Sequence, residues 1–547
     1  MNVPREILER VERIREYHDS TKLSESAQAG SKSAQGPAPE VFRVFDGYPK
    51  TPLPTNLLGV AIPGTSLLLE GLDAVPASQL QPPQDLRTLA TWLYLGAGAV
   101  RKLPNRPVRW VRACPSDGST FPCEVYVAAF AIQGLEPGFY HFSVGEFALR
   151  KLRDGWQALA QIKRGRPDLE FLKTMPAALL VSTIYCRSSW AFGKRGYRNA
   201  LHDAGHLIQN LATVGTGLGI QTLVRLTVQA QTTRELIGLP VDADFADAEA
   251  VQGMITWADP TPRPLTAPAG FTLPPPGMMP PLPRTPLAAS VVGYGSIMAV
   301  HEDCVAPGVA LREVRPPLTE LSPVSDAIDF HELPEPDAAE HGIALDKILL
   351  NPHTPREFAR TAITRDRLWH LARTGFRWGS PFPLFPDGHY AALVRPLWII
   401  SNVIGVDSGI WYYNAKKNAW CLIRSGTFRY DAQRLAMSNP LFGNAAAVCF
   451  MAANLHRLLT EGGPDLYRLA HLEAGMAGQR LYLCAASMGL ATCLTGKFYD
   501  EPARQFFQME RTGWEIVYAL AVGAMPSGPT APATKSESQD QTGLWRG

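Results

Sequence analysis

The chain has 547 residues, 46% of them hydrophobic and only 19% charged, with 52 basic side chains against 50 acidic ones. That balance excludes a disordered, solvating chain and gives no electrostatic ground for a nucleic-acid or acidic-membrane partner. A single core rarely grows past roughly 250–300 residues, so two to four domains are expected.

In chain order, residues 1–16 are charged throughout and lack the apolar run of a secretory signal. Residues 24–39 are rich in Ser, Ala, Gly and Gln and read as a loop. Two uncharged runs, 51–69 and 435–455, approach membrane-spanning length. The first holds three prolines and two glycines, and the second is broken by Asn439-Pro440 and Gly443-Asn444, so neither reads as a span. Gly96-Ala97-Gly98 ends a helical stretch. Strand-like runs at 124–132 and 177–185 precede a helix in which Leu201, Ala204, Leu207, Ile208, Leu211 and Ala212 share one face. Gly215-Thr216-Gly217-Leu218-Gly219 lacks the full G-x-G-x-x-G spacing and follows a helix, which makes it a helix stop rather than a dinucleotide loop.

Residues 260–286 pack 11 prolines into 27 positions and form an extended connector. Residues 326–340 carry six acids and no Lys or Arg, without the loop pattern of a calcium site, and read as a solvated linker. Strand-like runs return at 397–406 and 446–451, with Trp411, Tyr412, Tyr413 and Trp420 as hairpin core. A second helical stripe follows: Leu469, Leu472, Met476 and Leu483. Residues 528–547 read as a disordered tail. The eight cysteines form no C-x-x-C pair, so the expectation is a cytoplasmic protein with reduced thiols. His202 and His206 share a helix face but lack the glutamate of a zinc motif, and no metal site is expected.

The two sides of the proline-rich connector repeat each other. Tyr197-Arg198, Asp203-Ala204-Gly205, Gln209, Gly219 and Thr222 recur as Tyr467-Arg468, Glu473-Ala474-Gly475, Gln479, Gly489 and Thr492, at a constant offset of 270. The expectation is an α+β fold in two copies: a domain at 1–258, a connector at 259–342, a second domain at 343–527 and a tail at 528–547.

Arg112-Ala113-Cys114-Pro115-Ser116-Asp117-Gly118 with the residues to Tyr126, then Gly138-Phe139-Tyr140-His141, resemble the SagB-type dehydrogenases of the nitroreductase superfamily. So do the stretch from Tyr197 to Leu211 and Tyr17-His18-Asp19-Ser20-Thr21-Lys22. The resemblance implies two nitroreductase-like domains, each an antiparallel or mixed sheet flanked by helices, forming an internal pseudo-dimer within a monomer. It also implies FMN as cofactor. In that family an R-x-S-x-R segment grips the flavin phosphate through charge-assisted hydrogen bonds. Its counterparts are His18, Ser20 and Lys22 in the first copy and His353, Thr354 and Arg356 in the second. Both copies replace the first arginine by histidine, a weaker cation at neutral pH.

The family's P-S-x-G loop reaches the flavin from the partner copy. The first copy keeps it as Ser116 and Gly118, with Arg112 just before, whereas the second has Asp387-Gly388 at the aligned place. A ring-contacting glycine is present in the second copy, Gly496, and replaced by Leu226 in the first. The resemblance therefore implies one composite site, from His353, Thr354, Arg356 and Gly496 with Arg112, Ser116 and Gly118. The mirror site, built on His18, Ser20 and Lys22, is expected to be degenerate. The Lys-Tyr pair of azoline oxidases falls on Ala191-Phe192 and Glu461-Gly462, which removes that proton donor and acceptor.

The leading expectation is an FMN-dependent oxidoreductase moving a hydride between flavin N5 and a small-molecule or peptide substrate, with NAD(P)H as a candidate electron donor. The alternatives are a flavin-poor pseudo-enzyme acting as a scaffold, and azoline oxidation in ribosomal peptide maturation. The residues assign no catalytic role.

Overall fold

The computed structural model describes residues 4–26, 36–103, 109–156, 172, 174–227, 230–240, 243–258, 281–287, 291–306, 322–324, 330–332, 342–376 and 392–526. Two seven-stranded sheets dominate it. In the first the strands lie in the order Lys50–Pro52, Ala148–Asp154, Gly138–Ser143, Cys123–Ala129, Ala177–Ile184, Glu249–Ala258, Gln221–Arg225. In the second the order is His331–Glu332, Ala419–Ser425, Gly409–Asn414, Val394–Ile400, Ala447–Ala453, Glu515–Ala524, Leu490–Thr495. Every neighbouring pair in both sheets is antiparallel. The repeat in the sequence is thus a repeat of one topology. The central strands, AALLVSTI and AVCFMAA, are buried at every position because both their faces are covered, and the two polar residues, Ser182 and Thr183, are hydrogen-bonded within the fold.

Each lobe has one long central helix, Gly196–Gly217 and Asp465–Ser487, and the two pack against each other. On the first helix, Ile208 and Leu211 of the apolar stripe pack toward Gly253 and Gly96 of the same lobe. The polar side is buried as well, in the lobe interface: the ring of His206 bonds Gln479 Oε1 at 2.9 Å, Gln479 Nε2 donates to Asn210 Oδ1 at 2.9 Å, and Arg480 Nη1 donates to Gln209 Oε1 at 2.9 Å. Two glycines set the crossing. A Cβ on Gly205 would lie 2.1 Å from the Leu472 carbonyl oxygen, and one on Gly475 would lie 2.1 Å from that of His202. Only hydrogen fits at this pseudo-symmetric contact.

The connector is not linker throughout. Between its proline-rich and acidic stretches lies a helix, Gly295–Val305, that packs on the N-terminal helix Arg5–Ser20. Arg10 donates to the Asp303 carbonyl at 2.6 and 2.9 Å, and Arg13 holds the Asp303 carboxylate at 2.5 and 2.8 Å. Most of 260–286, nearly all of 326–340 and all of 528–547 lie outside the described residues, as does the altered loop at 386–389. The aromatic cluster sits in the hairpin Gly409–Asn414/Ala419–Ser425, with Tyr412, Tyr413 and Trp420 buried. All eight cysteines are free and buried. No helix among the described residues is long and apolar enough to cross a membrane.

Candidate functional site

A cavity of about 860 Å³ opens where the two lobes meet, within the ~300–1,000 Å³ range of small-molecule sites. Its wall takes Arg112, Ser116 and Gly118 from the first lobe and His353, Thr354 and Arg356 from the second. Two groups of three residues, more than 230 positions apart in sequence, thereby line one space.

The first-lobe side is a tight loop after the hairpin strand Arg109–Arg112. Gly118 has φ +61°, and its missing Cβ would meet the Phe192 ring at 2.9 Å. Ser119 and Phe121 also have positive φ, of 56° and 43°, each at a strain cost of order 1 kcal/mol or more. Asp203, on the central helix, holds the loop in place. It accepts from the Ser116 hydroxyl at 2.5 Å and from the Asp117 backbone N–H at 3.1 Å. Ser116 Oγ in turn accepts from the Phe121 N–H at 2.9 Å. Its single proton is committed to Asp203, so Ser116 faces the cavity as an acceptor. Burial pushes the Asp203 carboxyl well above the usual carboxylate range, with Asp117 adding to the rise and the Ser116 bond opposing it.

Arg112 is buried beneath this loop, its guanidinium over the rings of Phe42 and Phe121, with Nη2 donating to the Val41 carbonyl at 2.7 Å. Burial lowers its pKa to about 10, so it stays cationic at neutral pH. On the second-lobe side, His353, Thr354 and Arg356 lie in an exposed segment just before the helix Arg365–Phe376.

Gly496 is not among the residues lining the cavity. Its N–H donates to Asp117 Oδ2 at 3.3 Å and its carbonyl accepts from Arg195 Nε at 2.9 Å, so it braces the loop from behind.

The first-copy triplet falls elsewhere. His18 is buried, with Nδ1 3.2 Å from the Tyr467 hydroxyl, and burial drives its pKa well below the ordinary value. Ser20 donates to the Tyr17 carbonyl. Lys22 is spent on Asp19, Glu501 and Glu515 at 2.8, 2.9 and 3.2 Å. None of the three lies opposite the Arg356 segment. Helix Leu86–Ala97 packs on the first central helix as Arg365–Phe376 packs on the second. The segment equivalent to His353–Arg356 is therefore at about 74–79, Ala-Val-Pro-Ala-Ser-Gln, which holds no cation.

Sequence reasoning missed Trp110, Arg101, Thr492, Tyr482 and Tyr518 on the cavity wall, and it set aside Asp203 and His206. The Thr222/Thr492 repeat was the available signal for one of them. His206 takes Gln479 on one side and the Tyr518 hydroxyl, 3.0 Å away, on the other; burial lowers its pKa to about 4, so it is neutral. Phe192, at the place of the azoline-oxidase tyrosine, packs on Gly118 and lies under Lys497 Nζ at 4.4 Å. Glu461 is paired on the surface with Arg457. Among the described residues no group of three or more His, Cys, Asp or Glu could hold a metal.

The cavity wall has donors to spare. Arg112 Nε, Trp110 Nε1 and Thr492 Oγ1 are buried and have no hydrogen-bond partner among the described residues. With Arg356, Arg101 and Thr354 they make a donor-rich surface suited to a phosphorylated, many-acceptor ligand such as FMN.

Comparison with known proteins agrees with the architecture. The sequence profile of the nitroreductase family matches residues 82–257 and 353–524, once per lobe. "Putative nitroreductase MJ1384" of Methanocaldococcus jannaschii is 28% identical over 187 residues, 33% of this chain and 92% of that protein. A crystal structure from Anabaena variabilis, likewise named a nitroreductase, superposes over 94% of this chain and 99% of its own, with a TM-score of 0.70 at 20% identity. A chain of the E. coli microcin synthetase McbBCD complex is 17% identical, covering 46% of this chain and 94% of that one, with a TM-score of 0.28. Two family matches, on two lobes of the same topology, place this chain in the nitroreductase family, present twice in one polypeptide.

Proposed function

We propose that the chain is an FMN-dependent oxidoreductase with one flavin site, in the cavity between the lobes. The observation that carries this reading is the convergence of Arg112, Ser116 and Gly118 with His353, Thr354 and Arg356 on one donor-rich wall. Bound there, FMN would supply a centre that exchanges a hydride with an organic substrate.

The chain's own residues hold and orient. Arg356 presents an exposed guanidinium fork suited to phosphate oxygens, and Thr354 adds a hydroxyl. Ser116, its proton committed to Asp203, offers an acceptor to a ring N–H or a ribityl hydroxyl. Gly118 lets the backbone approach closely. Arg112, cationic and only partly bonded, favours negative charge developing nearby. Asp203, on the cavity wall, fixes the loop by accepting from the Ser116 hydroxyl and the Asp117 N–H.

NAD(P)H is the proposed electron donor, and a small molecule or peptide the proposed substrate. Azoline oxidation is disfavoured because Ala191-Phe192 in one copy and Glu461-Gly462 in the other stand where the proton-transferring Lys-Tyr pair is needed. The test is the purified protein: flavin absorbance, identification of the released flavin as FMN, and its anaerobic bleaching by NADH or NADPH. Protein that stays colourless after reconstitution with FMN would support a scaffold instead.

A further inference from the structure

Behind Tyr518, at the centre of the lobe interface, lies a cluster outside the flavin cavity. Arg195, Arg198, His18, His202 and His471 are all at least nine-tenths buried, Arg198 and His471 completely. Both arginines act electrostatically on all three imidazoles. His202 and His471 stack with centroids 5.3 Å apart, and His18 lies 6.4 Å from His471.

Seven nitrogens of this cluster have no hydrogen-bond partner among the described residues: Arg198 Nε and Nη2, Arg195 Nη2, both nitrogens of His202, and Nε2 of His18 and of His471. One carboxylate, Asp500, serves both guanidiniums, through Arg195 Nη1 at 2.8 Å and Arg198 Nη1 at 3.1 Å, and it also accepts from the Leu23 N–H. Burial holds the three imidazoles neutral. Two buried cations thus share one hydrogen-bonded anion, with the Glu515 carboxylate 3.8 Å from His18 Nε2 at the edge of the cluster, and an incompletely compensated buried charge is costly.

The internal repeat supplies a control. Arg468, the pseudo-symmetric counterpart of Arg198, is bonded at every nitrogen: Nε to Asp465, Nη1 to the Gln252 carbonyl, Nη2 to the Leu226 carbonyl, at 2.7, 2.9 and 2.7 Å. The counterparts of His202 and His471 are Leu472 and Leu201. The same position is fully bonded in one lobe and lined with unpartnered nitrogens in the other.

We propose that this cluster is a binding site for a small oxyanion of the carboxylate or nitrate type, held by the side-on Nε/Nη2 edge of Arg198. That edge matches two oxygens of one anion. Arg195 Nη2 adds a third donor, and the imidazole nitrogens complete the wall by giving or accepting a proton. The occupant would neutralise the spare positive charge. It would also tie the N-terminal segment through His18, the first lobe through Arg195, Arg198 and His202, and the second lobe through His471.

The test uses formate and nitrate as probes on the full-length protein, at constant ionic strength against bulky gluconate, with chloride as an anion lacking the two-oxygen edge. We expect a saturable rise in Tm of roughly 2 °C at a hundredfold excess over Kd. Arg198→Lys keeps the charge but removes the fork and should weaken binding at least tenfold. His471→Leu installs the residue of the other lobe and should blunt the response without unfolding the protein. A crystal grown with formate decides the matter even if a variant misfolds. Planar density on the Arg198 edge supports the proposal; ordered water alone there, or a Tm response to formate and nitrate no larger than to chloride, overturns it.

Discussion

Arg356 and Lys22 are cations that a motif comparison treats as equivalent, and their surroundings separate them. Arg356 is exposed on the cavity rim, whereas Lys22 is held by three carboxylates. Arg356→Ala should strip FMN, since a lost charged hydrogen bond costs about 1.5–3 kcal/mol, tenfold or more in affinity. Lys22→Ala should leave flavin content unchanged and lower stability by about 1 kcal/mol. Flavin stoichiometry and denaturant midpoints of both variants check this, and equal flavin loss would contradict it. A second residue-scale effect concerns Glu473, the counterpart of Asp203. Burial pushes its carboxyl up to about 7, only partly opposed by the Leu393 N–H and by Arg395 and Arg480. A folded-state pKa above the unfolded one gives stability that is full below about pH 4.5 and is lost as pH rises through about 7. Glu473→Gln should therefore be more stable than the parent at pH 8, by on the order of 2 kcal/mol, and nearly equal to it at pH 5. Urea unfolding at the two pH values reads the difference; a pH-independent gap would show that the carboxyl does not titrate as described.

Among the elements, the crossing of the two central helices is the contact everything else is built around. Gly205 and Gly475 face backbone carbonyls, which cannot swing aside as a side chain can. Gly205→Ala and Gly475→Ala would each gain about 1 kcal/mol of helix propensity in isolation. In the folded protein each should lose a net 1–3 kcal/mol or so through overpacking, visible as a lower Tm. Because the crossing positions Asp203, and Asp203 positions Ser116 and Asp117, the Gly205 variant should also bind flavin more weakly. Retained stability in both variants would mean the helices are not in contact at these glycines.

For the whole molecule, each lobe offers its central helix and loops to the other, so the surface that nitroreductase-type lobes would share between subunits is already filled from within. The 59.8 kDa chain should therefore scatter light as a monomer; an obligate dimer would count against this. Flavin content should not exceed one per chain, because residues 74–79 give the first lobe no cation at the place where the second has Arg356. Two tightly held flavins in the parent protein would refute that.

The duplication, the central helices and most strands were legible in the chain because repeat spacing and apolar periodicity are local properties: the stripe through Leu201, Ile208 and Leu211 dictates a helix wherever it ends up. The connector helix Gly295–Val305 was hidden because the prolines and acids around it dominate the composition, while its anchors, Arg10 and Arg13, lie near the other end of the lobe. The composite wall of Ser116, Gly118 and Arg356 could be expected from the resemblance, since its motif residues survive in order. His18, Ser20 and Lys22 had the right residue types at the right spacing, yet only packing shows that three carboxylates hold Lys22 and that the true counterpart of Arg356 lies near residue 76. The buried cations and imidazoles between the lobes had no sequence signal, because whether a polar nitrogen finds a partner depends on what folds against it from some 300 residues away.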